Sequence, residues 1–282
     1  AAAAGLSRYP ALVQLRGMAR TLGWGERRPL LDDYLRKQVL DVWGEQLGCR
    51  FAQLELDFAA VRELSPVEFL QVLRDHYGVS GVVAGLDFRF GRDRSGDCHC
   101  LALEGERLGL QVRIVPPVMD AGAPISTTRV RAALAKGDMA LVARLLGRPY
   151  LLHGHVVPGD QRGRQLGFPT ANCSGITVAL PEPGVYACLA RLADGSRHPA
   201  AVNIGHLPSI APGRPLSVEA HLLDYQGDCY HQSLELALLE RLRPEQRFPD
   251  LDALRSQLHR DIQAVRACTL ELPDALPWPP AF

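Results

Sequence analysis

The stretch Gly147-Arg148-Pro149-Tyr150-Leu151-Leu152-His153-Gly154-His155-Val156-Val157 divides the chain into two kinds of sequence. Before it, apolar residues recur with a helical period between short strand-like runs. After it, β-like runs at 153–157, 184–192, 200–204, 217–223 and 233–239 are separated by Gly, Pro and Asp turns, the pattern of an antiparallel sandwich or barrel. Residues 250–267 then read as a closing amphipathic helix, with Leu251, Leu254, Leu258, Ile262 and Val265 on one face. The boundary near Pro149 and Tyr150 gives an α/β domain over 1–149, a β domain with its helix over 150–270, and a loose Pro-rich tail over 271–282.

Working back from the boundary, 126–146 is a Ser/Thr-capped helical region with a break near Lys136-Gly137-Asp138. Strands are predicted over 111–115, 79–85 and 51–57. Ser65-Pro66-Val67-Glu68 has the form of a capping box with Pro at the first helical position. Leu30 to Leu47 carries a helical stripe. Apolar residues at 12, 15, 18, 19 and 22, closed by Gly23, predict a helix over 11–22. Strands alternating with helices predict a parallel sheet, so the expected fold class is α/β followed by all-β.

The 282 residues suffice for two domains. Lys+Arg and Asp+Glu both number 31, which argues against bulk electrostatic binding to nucleic acid or a membrane surface and for small-molecule partners. Seven cysteines show no CxxC pairing, and Cys98-His99-Cys100 without a second cluster is a poor zinc pattern. A reducing cytoplasm fits that usage best. No apolar run reaches the length of a membrane span or signal segment, so the chain is expected to be neither exported nor membrane-spanning. The missing initiator Met points to processing, trimming or a fragment. Oligomeric state is not legible.

Chemistry concentrates in a few places. Gly159, Gly163 and Gly167 recur at spacing four, allowing backbone N–H groups to converge on an anion, and Arg162 and Arg164 add positive charge. Thr170 and Asn172, two apart on an extended segment, turn a hydroxyl and an amide the same way, as suits a Mg²⁺ ion carried by nucleotide phosphates. A Gly-rich hairpin with a Pro-Thr turn has the same spacing. Glu219 and His221 share one strand face opposite Val218 and Leu222, and a carboxylate there can accept a hydroxyl proton, although a solvated strand Glu is the commoner case. Leu242 to Phe248 is a turn with Arg243, Arg247 and an aromatic that can cover a ring system, or a plain connection to the helix. After the strand at 79–85, Asp87, Phe88 and Phe90 with Arg89, Arg92 and Arg94 offer a stacking and phosphate-binding loop, or an exposed basic loop anchored by aromatics. Ser126, Thr127 and Thr128 at a helix start, followed by Arg129 and Arg131, favour phosphate, though capping alone uses one hydroxyl.

In their order, Gly85-Leu-Asp-Phe-Arg-Phe-Gly-Arg-Asp-Arg-Ser-Gly-Asp97, Ile125-Ser-Thr-Thr-Arg-Val-Arg131, Gly163-Arg-Gln-Leu-Gly-Phe-Pro-Thr-Ala-Asn172, Val218-Glu-Ala-His-Leu-Leu-Asp224 and Leu242-Arg-Pro-Glu-Gln-Arg-Phe248 resemble the bacterial bifunctional riboflavin kinase/FMN adenylyltransferases, the FAD synthetase family. The resemblance implies an incomplete Rossmann-like nucleotidyltransferase domain followed by a flavokinase antiparallel β-barrel with a C-terminal helix. It implies that Mg-ATP is bound by Gly159, Gly163, Arg164, Gly167, Thr170 and Asn172, with Thr170 and Asn172 on the metal. Glu219 is then the base that activates the riboflavin 5′-hydroxyl, and Tyr230, Arg243 and Phe248 lie near the flavin. Asp87 and Phe88 would contact FMN, and Ser126, Thr127, Thr128 and Arg131 would hold ATP phosphates of the adenylyltransferase.

Departures gather at the start. The family's Gly-Asn-Phe-Asp-Gly-Val-His-x-Gly-His type segment is absent, no histidine precedes His76, and a Phe-x-Pro-His-Pro type turn is missing between the expected first helix and Leu30. The expectation is therefore FMN formation from riboflavin and Mg-ATP, with FAD formation impaired. Alternatives are a non-catalytic flavin-binding or regulatory protein, or a fragment of a fully bifunctional enzyme. Smaller departures are Thr127 for Ser, Ser209 for Thr, and His231 where Gly often follows Tyr.

Overall fold

The computed structural model describes residues 10–23, 28–159, 163, 167–205, 216–270 and 278. The chain divides into two compact units, Ala1–Arg27 with Leu47–Ile125, and Arg28–Gln46 with Ser126–Phe282. The boundary near Pro149 is thus a change of sequence period, whereas the second compact unit also takes in 28–46 and 126–149.

In the first unit β1 (Ala11–Arg16) pairs in parallel with β2 (Ala52–Asp57), and β3 (Gly81–Gly85) pairs in parallel with β4 (Gln111–Val115). These are two separate two-stranded sheets, and a short hairpin of β5 (Met119–Asp120) and β6 (Ala123–Pro124) follows. The helix expected over 11–22 is instead strand β1 and a single turn, α1 (Met18–Thr21). Six consecutive residues of β1 find register partners on β2, a gain no local pattern reveals, and Gly17 at φ 75° bends the chain between strand and turn. Short α3 (Phe58–Val61) and α4 (Pro66–Gln71) precede α5 (Cys98–Arg107). Ser65 and Glu68 form the expected capping box at α4. Leu56, Leu70, Leu73 and Leu101 fill the core of this unit.

The second unit is a closed barrel of six strands in the order β10-β11-β8-β7-β12-β9. They are β7 (Tyr150–Val157), β8 (Ala171–Ser174), β9 (Gly184–Leu192), β10 (Arg197–Gly205), β11 (Ser217–Leu222) and β12 (Ser233–Arg243), and every pairing is antiparallel. Entry into the barrel follows from the opening stretch. After α6 (Thr127–Leu134) and α7 (Met139–Leu146), Gly147 takes φ 67° as the C-cap and Pro149 prevents continuation. Tyr150 then enters β7 fully buried, its hydroxyl donating to Ala179 O at 2.8 Å. Asp138 caps α7 by accepting from Leu141 N, so the expected break at 136–138 is a helix stop followed by a new start.

Period-two alternation sorts the strands into an interior and an exterior face. Tyr186, Cys188, Val202, Ile204, Val218 and Ala220 are buried inside, mixing large and small side chains as a narrow barrel requires. Two helices cover parts of the outside. The α2 helix (Asp33–Leu47) sets Leu35 and Val39 against Leu151 and Ala237, while the C-terminal α8 (Leu251–Leu270) sets Val265 against Ala187 and Leu223.

Beneath α2 lies a buried carboxylate, Glu235, 3 % exposed. It accepts from Tyr34 Oη at 2.6 Å, from Gln38 Nε2 at 2.9 Å and from the Trp278 indole N–H. Burial, together with the Glu235 carboxylate, holds the Tyr34 phenol above its usual pKa. Trp278 is itself buried, with the Arg191 and Arg197 guanidiniums over its ring, so the expected loose tail is anchored at this residue. Tyr34→Phe removes one of three donors to a buried anion. The expected cost is about 1 kcal/mol, a fall in Tm of about 2–4 °C by circular dichroism. An unchanged Tm would mean that Gln38 and Trp278 satisfy Glu235 by themselves.

Candidate active site

The register of the barrel brings the predicted residues together. Arg243 on β12 is aligned with Val185 on β9, Val185 with Asn203 on β10, Asn203 with Glu219 on β11, and Glu219 with Asn172 on β8. Laterally aligned residues of a sheet point to one face, so this row crosses the outer face of five adjacent strands. Glu219 and Asn172 stand directly opposite each other.

A cavity of about 310 Å³ lies between this face and α8, bordered by Glu219, Asn203, Arg243, Phe248, Asp261 and Thr170. Asp261, on α8, is 3 % exposed and takes both Arg243 Nε (3.0 Å to Oδ1) and Arg243 Nη2 (2.8 Å to Oδ2), while Gln257 Nε2 donates to Oδ1 at 2.8 Å. The guanidinium carbon lies 5.7 Å from the Phe248 ring centroid. Arg243 and Phe248 thus form a fixed cationic and aromatic wall.

A second cavity of about 420 Å³ is bordered by inward residues Val156, Ala171 and Ala220, by the 225–230 turn, and again by Thr170. Tyr230 lines this cavity and not the one holding Arg243 and Phe248, so the expected grouping of Tyr230 with those two residues does not match its place in the fold. Cys229 lines it too, its thiol pushed above the usual pKa by burial, as is that of Cys173 on β8, to about 12. Both stay neutral thiols.

Close approach explains the glycines. A Cβ at Gly159 would collide with the Asn172 side chain, and one at Gly163 with Phe168 O. Phe168 N donates to Gly163 O at 2.9 Å, and Gly167 takes φ 87°. Arg164 lies outside the described residues. For Mg²⁺, Thr170 and Asn172 present an oxygen each and no net charge. Among the described residues no cluster of three or more His, Cys, Asp or Glu could hold a metal ion. Such a donor set fits a Mg²⁺ that draws most of its shell from phosphates and water.

The residues expected for adenylyl transfer fall in different units. Asp87 and Phe88 belong to the first, where Asp87 is exposed and Phe88 stacks on Phe90 at 5.5 Å, with Phe90 in turn packed on Phe69 in the core. Ser126, Thr127, Thr128 and Arg131 belong to the second. Ser126 Oγ accepts from Arg129 N as the N-cap of α6, Thr127 and Thr128 are exposed, and Arg131 Nη2 donates to Arg28 O at 2.7 Å. Asn203 and Asp261 were not singled out for the site by sequence, and His221 was noted only as sharing a face with Glu219. Asn203 carried a faint signal, being the one polar residue in Ala200-Ala-Val-Asn-Ile204.

The two cavities share Thr170 just before β8, with Gly163 and the Glu219 carboxylate bordering one and the 225–230 turn bordering the other, so two small molecules can sit side by side across this residue. Comparison with known proteins makes this specific. Residues 146–269 match the riboflavin kinase family and residues 49–129 the FAD synthetase family. The chain is 40 % identical over 208 residues to the bifunctional riboflavin kinase/FMN adenylyltransferase of Pseudomonas fluorescens, covering 73 % of this chain and 67 % of that one. The corresponding protein of Escherichia coli K12 is 39 % identical over 190 residues, covering 67 % and 60 %. A crystal structure described as a macrolide-efflux protein from Streptococcus pneumoniae superposes with a TM-score of 0.77 at 26 % identity, covering 91 % of this chain and 83 % of that one. Among the described residues no helix is long and apolar enough to cross a membrane. The chain belongs to the bifunctional riboflavin kinase/FMN adenylyltransferase family, and it is an enzyme of the riboflavin kinase class.

Proposed function

We propose that the barrel transfers the γ-phosphoryl group of Mg-ATP to the 5′-hydroxyl of riboflavin, releasing ADP and FMN. The observation that carries this reading is the place of Thr170, which borders both cavities, beside a strand on which Asn172 faces Glu219. Nucleotide occupies the cavity of the 225–230 turn, with Tyr230 on the nucleotide side, and flavin the cavity of Arg243, Phe248 and α8. Glu219 accepts the proton of the attacking hydroxyl. Thr170 and Asn172 contact the phosphate end and would hold a Mg²⁺ carried by the nucleotide, which when bound would neutralise charge developing on the transferred group. Arg243 and Phe248 orient the ring, and Asn203 supplies a polar contact next to the base.

Thr170→Ala removes a charge-assisted contact. The KM for Mg-ATP should rise about 10- to 100-fold in steady-state assays, with the riboflavin KM changed little. Unaltered Mg-ATP kinetics would separate Thr170 from the phosphate site.

FAD formation is expected to be weak in this chain. Among the described residues its parallel strands form two separate pairs, whereas nucleotide crevices in parallel sheets lie at strand C-termini where the order reverses within one sheet. Phe88 is also engaged with Phe90. Incubation with riboflavin and Mg-ATP, followed by chromatography, tests both statements. FMN with little FAD is the expected result, abundant FAD overturns the second statement, and neither product leaves a flavin-binding protein. The seven cysteines, none in a disulfide, support a reducing cytoplasm as the place of action.

A further inference from the structure

The segment leading into Thr170 is held by contacts the sequence does not announce. His221, on the same face of β11 as Glu219, lies with Nδ1 2.8 Å from Pro169 O. A carbonyl oxygen can only accept, so Nδ1 carries the proton. The same imidazole meets the Phe168 ring edge-on at 5.7 Å, and His259 of α8 meets that ring at 5.2 Å. Phe168 is 8 % exposed, wedged between the two histidines. Its N–H closes the loop onto Gly163 O, so the peptide before Thr170 is tied to the glycine loop, to β11 and to α8.

We infer that His221 is a positioning residue for phosphoryl transfer: by donating Nδ1–H to Pro169 O it sets the Thr170 hydroxyl against the row of Asn172 and Glu219. This deepens the kinase reading and rests on it. The physical argument is one of leverage. Pro169 precedes Thr170 directly, and reacting groups displaced by about 1 Å can lose about 10²-fold in rate. His221 also borders the flavin cavity, but because its imidazole donates to the carbonyl that precedes Thr170, its loss is expected to act on alignment more than on flavin affinity.

The test compares His221→Asn, His221→Gln and His221→Ala in the full chain. An Asn side-chain N–H reaches the position of Nδ1, whereas a Gln N–H extends toward that of Nε2. Wild-type FMN formation is measured first, and its absence would sink the kinase reading itself. Given wild-type activity, the inference expects kcat to fall about 10- to 100-fold in His221→Gln and His221→Ala, with the riboflavin KM within about threefold and kcat largely restored in His221→Asn. Equal kcat in all four proteins, or a riboflavin KM raised tenfold at unchanged kcat, overturns it. Should His221→Ala fold poorly by circular dichroism, the Asn and Gln variants decide alone, because a purely structural role would not rank them by donor position.

Discussion

Glu219→Gln is expected to lower kcat for FMN formation by about 10²- to 10⁴-fold, the range for loss of a general base, while leaving both KM values within a few-fold. The amide is isosteric with the carboxylate but cannot take the proton released when the 5′-hydroxyl attacks phosphorus. The barrel should persist, because Val218 and Ala220 on either side are buried inward and untouched by the change. Rapid-quench measurement of the first turnover checks the result directly, since a loss confined to steady state would place the effect in product release. Near-normal FMN production would remove Glu219 from the chemistry. Asn172→Ala should weaken Mg-ATP use without reproducing the Glu219→Gln loss, because the role proposed for Asn172 is to hold the phosphate end and an amide accepts no proton.

How much of this was visible beforehand depends on the range of the interaction. Features set within a few residues were legible: the Ser65 capping box, the helix stop at Gly137 and start at Asp138, and the shared face of Glu219 and His221. The departure at His231 has a physical meaning too. This residue takes φ 63°, a left-handed conformation that favours Gly. What depended on distant partners was hidden. Residues 11–16 hold apolar groups compatible with either period, and their pairing with β2 decides for strand. Tyr230 precedes β12 and Arg243 ends it, and they border different cavities of the barrel. Trp278 sits in a Pro-rich run whose composition says tail, and its anchor is Glu235, 43 residues earlier.

Asp261 is the site residue whose role sequence reasoning had least chance of finding, since on α8 it looks like any polar residue of an amphipathic helix. Asp261→Ala is expected to destabilise the barrel unit by about 3–5 kcal/mol, because it strands the Arg243 guanidinium, whose side chain is 15 % exposed, beside a buried helix face. Urea unfolding followed by circular dichroism measures it, and a loss under about 1 kcal/mol would show that water or another carboxylate takes over. The paired replacement Asp261→Leu with Arg243→Met separates stability from function. Removing both charges should recover most of the stability, since an apolar pair of similar volume is often neutral or better than a buried ion pair. Flavin handling should not recover, because the cationic wall against Phe248 is gone. A stable double variant with a raised riboflavin KM would therefore show that the ion pair is kept for orienting Arg243 at the flavin, and one with an unchanged KM would confine the pair to anchoring α8.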